Sequence, residues 1–333
     1  MLDRPVKHRK RWLLAPLLLI GVLAACAWLE PRLVAAGLLL RMEGGQAGPA
    51  WLVHYGEHVL DERPFAHASG VQGVLYTPRD VTEAPGLVLA HGIHEDGIRD
   101  ARLVAFARAV AASGVVVLTP ELVDLAHYRV THAGAELIAE AARALAAHLH
   151  RERVGVFGVS FGGGLALRAA CEPELRDAIE RVITLGAHHD AAFVSRFFLG
   201  EAARGPDGKR AQLKPHGYGA SVLFQSLFGE KHKGSITLED KLRVERALTQ
   251  RARELADASP ANCPGAPRVP LYLVHGLGDR IIPYTESLWN AQQFSASTPV
   301  TVLISPAIVH AEYAPPTLRE RLDLVSFMAA ALN

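Results

Sequence analysis

The chain has almost no excess of charge of either sign. Its 35 Lys and Arg face 34 Asp and Glu, a net +1, so no broad basic field points to nucleic acid as a partner. Cysteine is scarce: Cys26, Cys171 and Cys263 are the three in 333 residues. Cys26 lies in an apolar N-terminal segment. A bond between Cys171 and Cys263 is open on the sequence, and free thiols are the expectation. Histidine is plentiful at 16, yet no H-E-x-x-H and no Cys/His ligand spacing occurs. No metal site is therefore expected, and most histidines read as solvated or capping residues. No organic cofactor is implied.

What is present starts with a long apolar run. Residues 1–11 carry Arg4, Lys7, Arg9, Lys10 and Arg11, and residues 12–29 then continue without a charge. That length crosses a bilayer, and the basic flank predicts the N-terminus inside and the body outside the cytoplasm. Trp12 and Trp28 stand at the two ends, where interfacial aromatics belong. Leu23-Ala24-Ala25-Cys26 also resembles a lipoprotein signal with cleavage before a lipidated Cys26. The apolar residues that continue past Cys26 favour an uncleaved, single-pass anchor. The expected organisation is a basic flank and anchor over 1–41, a Gly-rich linker over 42–50, and a folded body over 51–333.

The body is long enough for one α/β domain with an insertion. Strand-like runs at 51–60 and 69–77 suggest an opening antiparallel pair. Buried β-branched and Leu-rich strands then alternate with helical stretches from Gly86 to Leu332. This predicts a mostly parallel sheet with helices on both faces. The alternation breaks between 187 and 269, where helical stretches at 191–199, 221–228 and 238–255 are joined by Gly/Pro-rich sequence. An insertion after a strand's C-terminus reads as a helical cap over a ligand site, with a peripheral decoration as the other reading.

The chain is organised around Val154-Gly155-Val156-Phe157-Gly158-Val159-Ser160-Phe161-Gly162-Gly163-Gly164. A β-branched run ends in Gly-x-Ser-x-Gly, and an Ala/Leu-rich stretch follows: strand, sharp turn, helix. The turn lifts a serine hydroxyl to a helix N-terminus, where N–H groups and the dipole favour developing negative charge. A serine hydroxyl needs a base, a group that orients the base, and donors for an oxyanion. His310 follows the last strand. Asp279 follows another, in His275-Gly276-Leu277-Gly278-Asp279-Arg280-Ile281-Ile282-Pro283, and His91-Gly92-Ile93 follows the first parallel strand.

With these motifs, the stretch from about 69 to 333 resembles the α/β-hydrolase superfamily, whose chain order is Ser…Asp…His. The resemblance implies Ser160 as nucleophile, His310 as base, Asp279 as orienter, and backbone N–H groups of Ile93 and Phe161 as the oxyanion hole. It implies a serine hydrolase of carboxylic esters, acting on a small-molecule or lipid ester. Acyl transfer, thioester or peptide cleavage with the same triad remain open, as does a non-catalytic binding protein of this fold. Asp190 is a second candidate for the orienting acid, with a helix N-cap as its ordinary role. His188 and His189 are expected to be exposed, with a place lining the cleft as the other reading; His275 is expected to bond within the acid loop, and Phe193, Phe197 and Phe198 to face the cleft if residues 187–269 cover it.

Overall fold

The structure, a computed structural model, describes residues 9–46, 48–232, 234–310, 312–313 and 316–332. Arg4 and Lys7 of the basic flank lie outside the described residues.

Eight strands form one sheet: β1 (Leu60–Ala66), β2 (Gln72–Pro78), β3 (Gly86–Ala90), β4 (Val116–Pro120), β5 (Val154–Val159), β6 (Ile179–Leu185), β7 (Leu271–Gly276) and β8 (Val300–Ser305). Their order is β1-β2-β4-β3-β5-β6-β7-β8. β2 runs antiparallel to β1 and β4, and the other neighbours are parallel. A further two-residue pair, β9 (Ile308–Val309) with β10 (Glu312–Tyr313), brackets His310.

Twelve α-helices lie among the described residues. They are α1 (Arg9–Met42), α2 (Ala50–Val53), α3 (Ala101–Ala111), α4 (Val123–Ala126), α5 (His132–His148) and α6 (Phe161–Cys171), then α7 (Ala191–Phe198), α8 (Gly217–Phe228), α9 (Leu238–Gln250) and α10 (Ala252–Asp257), and finally α11 (Thr285–Phe294) and α12 (Leu318–Leu332). Strand residues alternate between the faces. Val88 and Ala90 of β3 join the core under α5 and α6, while Leu87 and Leu89 join the core under α1, α3 and α12. A strand buried on both faces has no polar side, which is why β3 reads as an unbroken apolar run.

Three departures from the sequence reading have simple causes. Residues 50–53 form a helix, not the start of a strand: Pro49 leads into it, and Val53 is buried. The pairing strand begins at Leu60. Second, α1 does not stop short of the body. Ala35, Leu38, Leu39 and Leu40 are buried, while residues 23–30 are exposed. A helix apolar on every side shows no face in its sequence, so its packed half is invisible there.

Third, Cys171 and Cys263 are not free thiols but a disulfide, with Cα atoms 5.9 Å apart. It joins the end of α6 to the returning leg of the insertion, 92 residues away in sequence. The buried Arg168 reinforces the junction, donating to Asp257 O at 2.7 Å and Asn262 O at 3.0 Å and pairing with Glu172. Closing so long a loop removes much freedom from the unfolded chain. Replacing the half-buried Cys263 with alanine should lower unfolding free energy by about 2–5 kcal/mol. Urea denaturation with and without reductant checks this; an unchanged midpoint in both comparisons would count against the bond.

Candidate active site

Ser160, Asp279 and His310 all follow the C-terminal ends of parallel strands, at β5, β7 and β8. Ser160 sits at φ 55°, ψ −127°, a backbone conformation that a non-glycine residue rarely adopts. Close packing around the turn holds it there. A Cβ on Gly158 would lie 2.5 Å from Gly162 O, and one on Gly162 would lie 2.2 Å from His91 O. Only glycine fits at either place. The Ser160 N–H donates to Leu185 O at 2.8 Å, which ties the turn to the end of β6.

The next residue, Gly186, has φ +66° and backs directly onto the acid loop. A Cβ there would meet Asp279 Oδ2 at 3.3 Å, His275 Nε2 at 3.8 Å and His310 Nδ1 at 4.0 Å. Leu185, which holds the serine turn, is thus followed directly by the glycine that packs against the acid–imidazole pair.

Asp279 is fully buried and both its oxygens accept hydrogen bonds. Its Oδ1 accepts the N–H groups of Ile281 at 2.8 Å and Ile282 at 3.0 Å. Its Oδ2 accepts from His310 Nδ1 at 2.9 Å. Burial works against the charge, but His310 and His275 beside it outweigh that and hold the carboxyl well below the usual range.

His275 does bond within the acid loop. Its Nε2 faces two acceptors, Ile282 O at 2.9 Å and Asp279 Oδ2 at 3.4 Å, so Nε2 carries the proton. Nδ1 then accepts the Ser287 hydroxyl at 2.7 Å. Asp190 is placed elsewhere: its Oδ1 accepts Ala192 N–H at 2.8 Å and Phe193 N–H at 3.2 Å, capping α7.

On the other side of Ser160 lie Gly92 and Ile93. A Cβ on Gly92 would sit 2.9 Å from Ser160 Cβ. Phe161 opens α6, so its N–H is among those at the helix N-terminus. The buried His91 fixes the loop between them. Its Nδ1–H donates to Gly92 O at 2.8 Å, and its Nε2 accepts Leu122 N–H at 3.1 Å. Both bonds use the neutral ring, and burial lowers its pKa in the same sense. Ile93 and Phe161 also line an apolar pocket with Ala191, Phe198, Leu223, Leu227 and Leu248 from the inserted helices. Of the three phenylalanines expected at a cleft, Phe198 lines this pocket, Phe197 is core, and Phe193 packs against the core.

His188 and His189 are not exposed. His188 is wholly buried with its ring 5.0 Å from that of Phe161, and burial lowers its pKa to about 4. His189 is partly buried and bonds Asn290. The residue that fixes this loop is Glu286, which no motif marks. Its Oε2 accepts both His189 N–H and Asp190 N–H at 2.9 Å.

Burial pushes the Glu286 carboxyl up to about 8, despite those two bonds to its charged form. The sign follows from linkage. The folded state binds this proton more tightly than the unfolded state, so the contribution is whole below about pH 4.5 and is lost as pH rises through about 8. Glu286→Gln keeps an accepting oxygen without the charge. Its stability relative to the parent should improve steadily across that window, read by denaturation at a series of pH values. A pH-independent difference would place Glu286 as charged throughout.

No protein-family model matches the chain, and no curated protein matches its sequence. Solved structures do match it in shape. A Pyrococcus horikoshii acylaminoacyl peptidase is similar with TM-score 0.54 and 17% identity, over 82% of this chain and 41% of that one. A puromycin hydrolase is similar with TM-score 0.50 and 19% identity, over 86% and 39%. The chain therefore spans about two fifths of the length of these structures. With the strand order and the serine turn described above, the chain has the α/β-hydrolase fold.

Proposed function

We propose that the protein is a serine hydrolase that cleaves carboxylic esters through an acyl-enzyme. The observation that carries this reading is the His310–Asp279 pair at 2.9 Å, packed against the glycine that follows the strand end bonded to Ser160, with that serine held in a strained turn. His310 takes the Ser160 proton on Nε2 as Oγ attacks the ester carbonyl, and gives it to the leaving alcohol. Asp279 holds the tautomer in which Nδ1 carries hydrogen and stabilises the imidazolium as it forms. The N–H groups of Ile93 and Phe161 receive the oxyanion. Water, activated by the same imidazole, then releases the acid. No metal or organic cofactor takes part in these steps.

The segment 187–269 is read as a cap whose helices α7, α8 and α9 wall a small apolar pocket together with Ile93 and Phe161 of the candidate oxyanion loop and helix. One methylene of pocket contact is worth about 1–3 kcal/mol. Leu227 is half-buried and lines this pocket, so Leu227→Trp closes it to an acyl chain. It should lower kcat/KM for long acyl esters about 10-fold or more and leave acetyl esters nearly unchanged. The test is a panel of esters graded by acyl length, with thioester and peptide substrates beside them. A uniform effect across the panel would make the insertion a decoration; turnover of the thioesters or peptides alone would replace the ester assignment.

The charge-free run over 12–29 is read as a single-pass anchor with the N-terminus in the cytoplasm and the body outside it. The disulfide supports an oxidising location. Cleavage before Cys26 would leave the packed turns of α1 in place, so a shorter, lipid-labelled product that depends on Cys26 would exchange the anchor for a lipoprotein.

A further inference from the structure

We infer that α1 leaves the body on the side opposite the candidate site. The membrane-held protein then presents its pocket to the aqueous phase and takes a water-dispersed ester, not a lipid of the bilayer that holds it. The inference rests on the serine-hydrolase and anchor readings above and adds an orientation to them.

The direction of α1 follows from its contacts. α12 comes after the loop bearing His310 and runs back across the sheet. Near its end, Ala331 O accepts a bond from Arg181 at 3.2 Å, close to the start of β6. The last turn of α12 therefore lies at the N-terminal edge of the strands, away from Ser160. α1 runs against α12, with Glu43, just past the end of α1, paired to Arg321 near the beginning of α12 at 2.9 Å. Further back along α1, Val34 lies against Gly56, and Gly37 against the carbonyls of Leu52 and Tyr55, in the segment that leads into β1. Arg41 reaches down to Ser113, just ahead of β4, at 2.9 Å. Gly56, which leads toward β1, and Ser113, which precedes β4, lie toward the N-terminal edge of the sheet, whereas Arg321 lies at the opposite end of α12. Residues 23–30 extend beyond that N-terminal edge, with Leu23 at 59% and Trp28 at 60% exposed.

The connection is also short and regular. The charge-free run ends at Leu29, Glu30 and Arg32 follow, and burial against the body begins at Ala35. All of this lies inside one helix, α1, so no loop lets the body swing over. Six strand residues from Val154 to the serine raise Ser160 by roughly 20 Å above the sheet's lower edge, at about 3.3 Å each. A bilayer lipid would have to leave the membrane entirely to bring its ester carbonyl to Ser160.

The test uses the full chain reconstituted in phosphatidylcholine vesicles and labelled at Ser160 with a dye-bearing fluorophosphonate. Aqueous iodide should quench the dye, and lipids with nitroxides on their headgroups or acyl chains should not. In vesicles of the same composition holding unlabelled protein, a soluble ester should be hydrolysed at least 100-fold faster than a phospholipid carrying the same acyl group. Quenching by the nitroxide lipids, or comparable hydrolysis of the phospholipid, overturns the orientation while leaving both underlying readings intact. Failure to label overturns the serine reading, and labelled protein that does not float with the vesicles overturns the anchor. Either would remove the inference with it, and each is read separately.

Discussion

Ser160→Ala should abolish ester turnover and fluorophosphonate labelling while leaving the fold intact. In a serine hydrolase the nucleophile and base act as a unit, and removing the hydroxyl typically costs about 10⁶ in kcat. The structure says why the fold should tolerate it. The Ser160 hydroxyl makes no helix-capping bond, and its Cβ already has its place beside Gly92. Alanine keeps that Cβ and the same strained backbone. Ser160→Gly supplies a second readout, since glycine accepts positive φ without penalty. It should be equally inactive and more stable by up to about 1–3 kcal/mol. Retention of more than a few per cent of activity in folded Ser160→Ala would end the nucleophile assignment.

Asp279→Asn should lower kcat by about 10⁴. The amide oxygen can keep the Ile281 and Ile282 N–H bonds, which turns the amide NH₂ toward His310 Nδ1 and His275 Nε2. Two donors then face two donors. His310 can answer only by moving its proton to Nε2, the nitrogen that must receive the Ser160 proton. Asp190→Asn is the control. Asn caps a helix about as well as Asp, so rate and stability should both change little. Because Asp279 is wholly buried, its variant is assayed on protein shown by circular dichroism to be folded. A large loss at Asp190 with near-normal turnover at Asp279 would reverse their roles.

The elements that position the site were legible because they obey local rules. The strand–Gly-x-Ser-x-Gly–helix unit needs small residues at two places, and steric contact in the fold shows the same need at Gly158 and Gly162. The acid loop reads from His275 to Pro283 because its turn chemistry and its carboxylate lie within nine residues. What stayed hidden depends on partners distant in the chain. Cys171 and Cys263 are 92 residues apart, and no spacing rule spans that distance. His188 looks like any polar residue after a strand, and only its place beneath Phe161 makes it core. Glu286 reads as an ordinary acidic residue in a helix's first turn, yet it closes the two N–H groups of a loop nearly a hundred positions earlier. The packed half of α1 was hidden for another reason, since uniform apolarity does not say which side meets protein and which meets lipid.

The bond between α6 and the insertion also sets an order of events in biosynthesis. Cys171 emerges from the ribosome with the serine turn, but its partner follows only after α7 to α10 have been made. On the proposed topology both must also have crossed the membrane before an oxidant reaches them. Until then α6 is complete while the return leg of the insertion is not covalently tied down. A chain retained in the reducing cytoplasm would remain at that stage. Export would then be the last maturation step as well as the route to the protein's destination, and the fraction of Cys171 found oxidised in cells would report how much of the population has completed it.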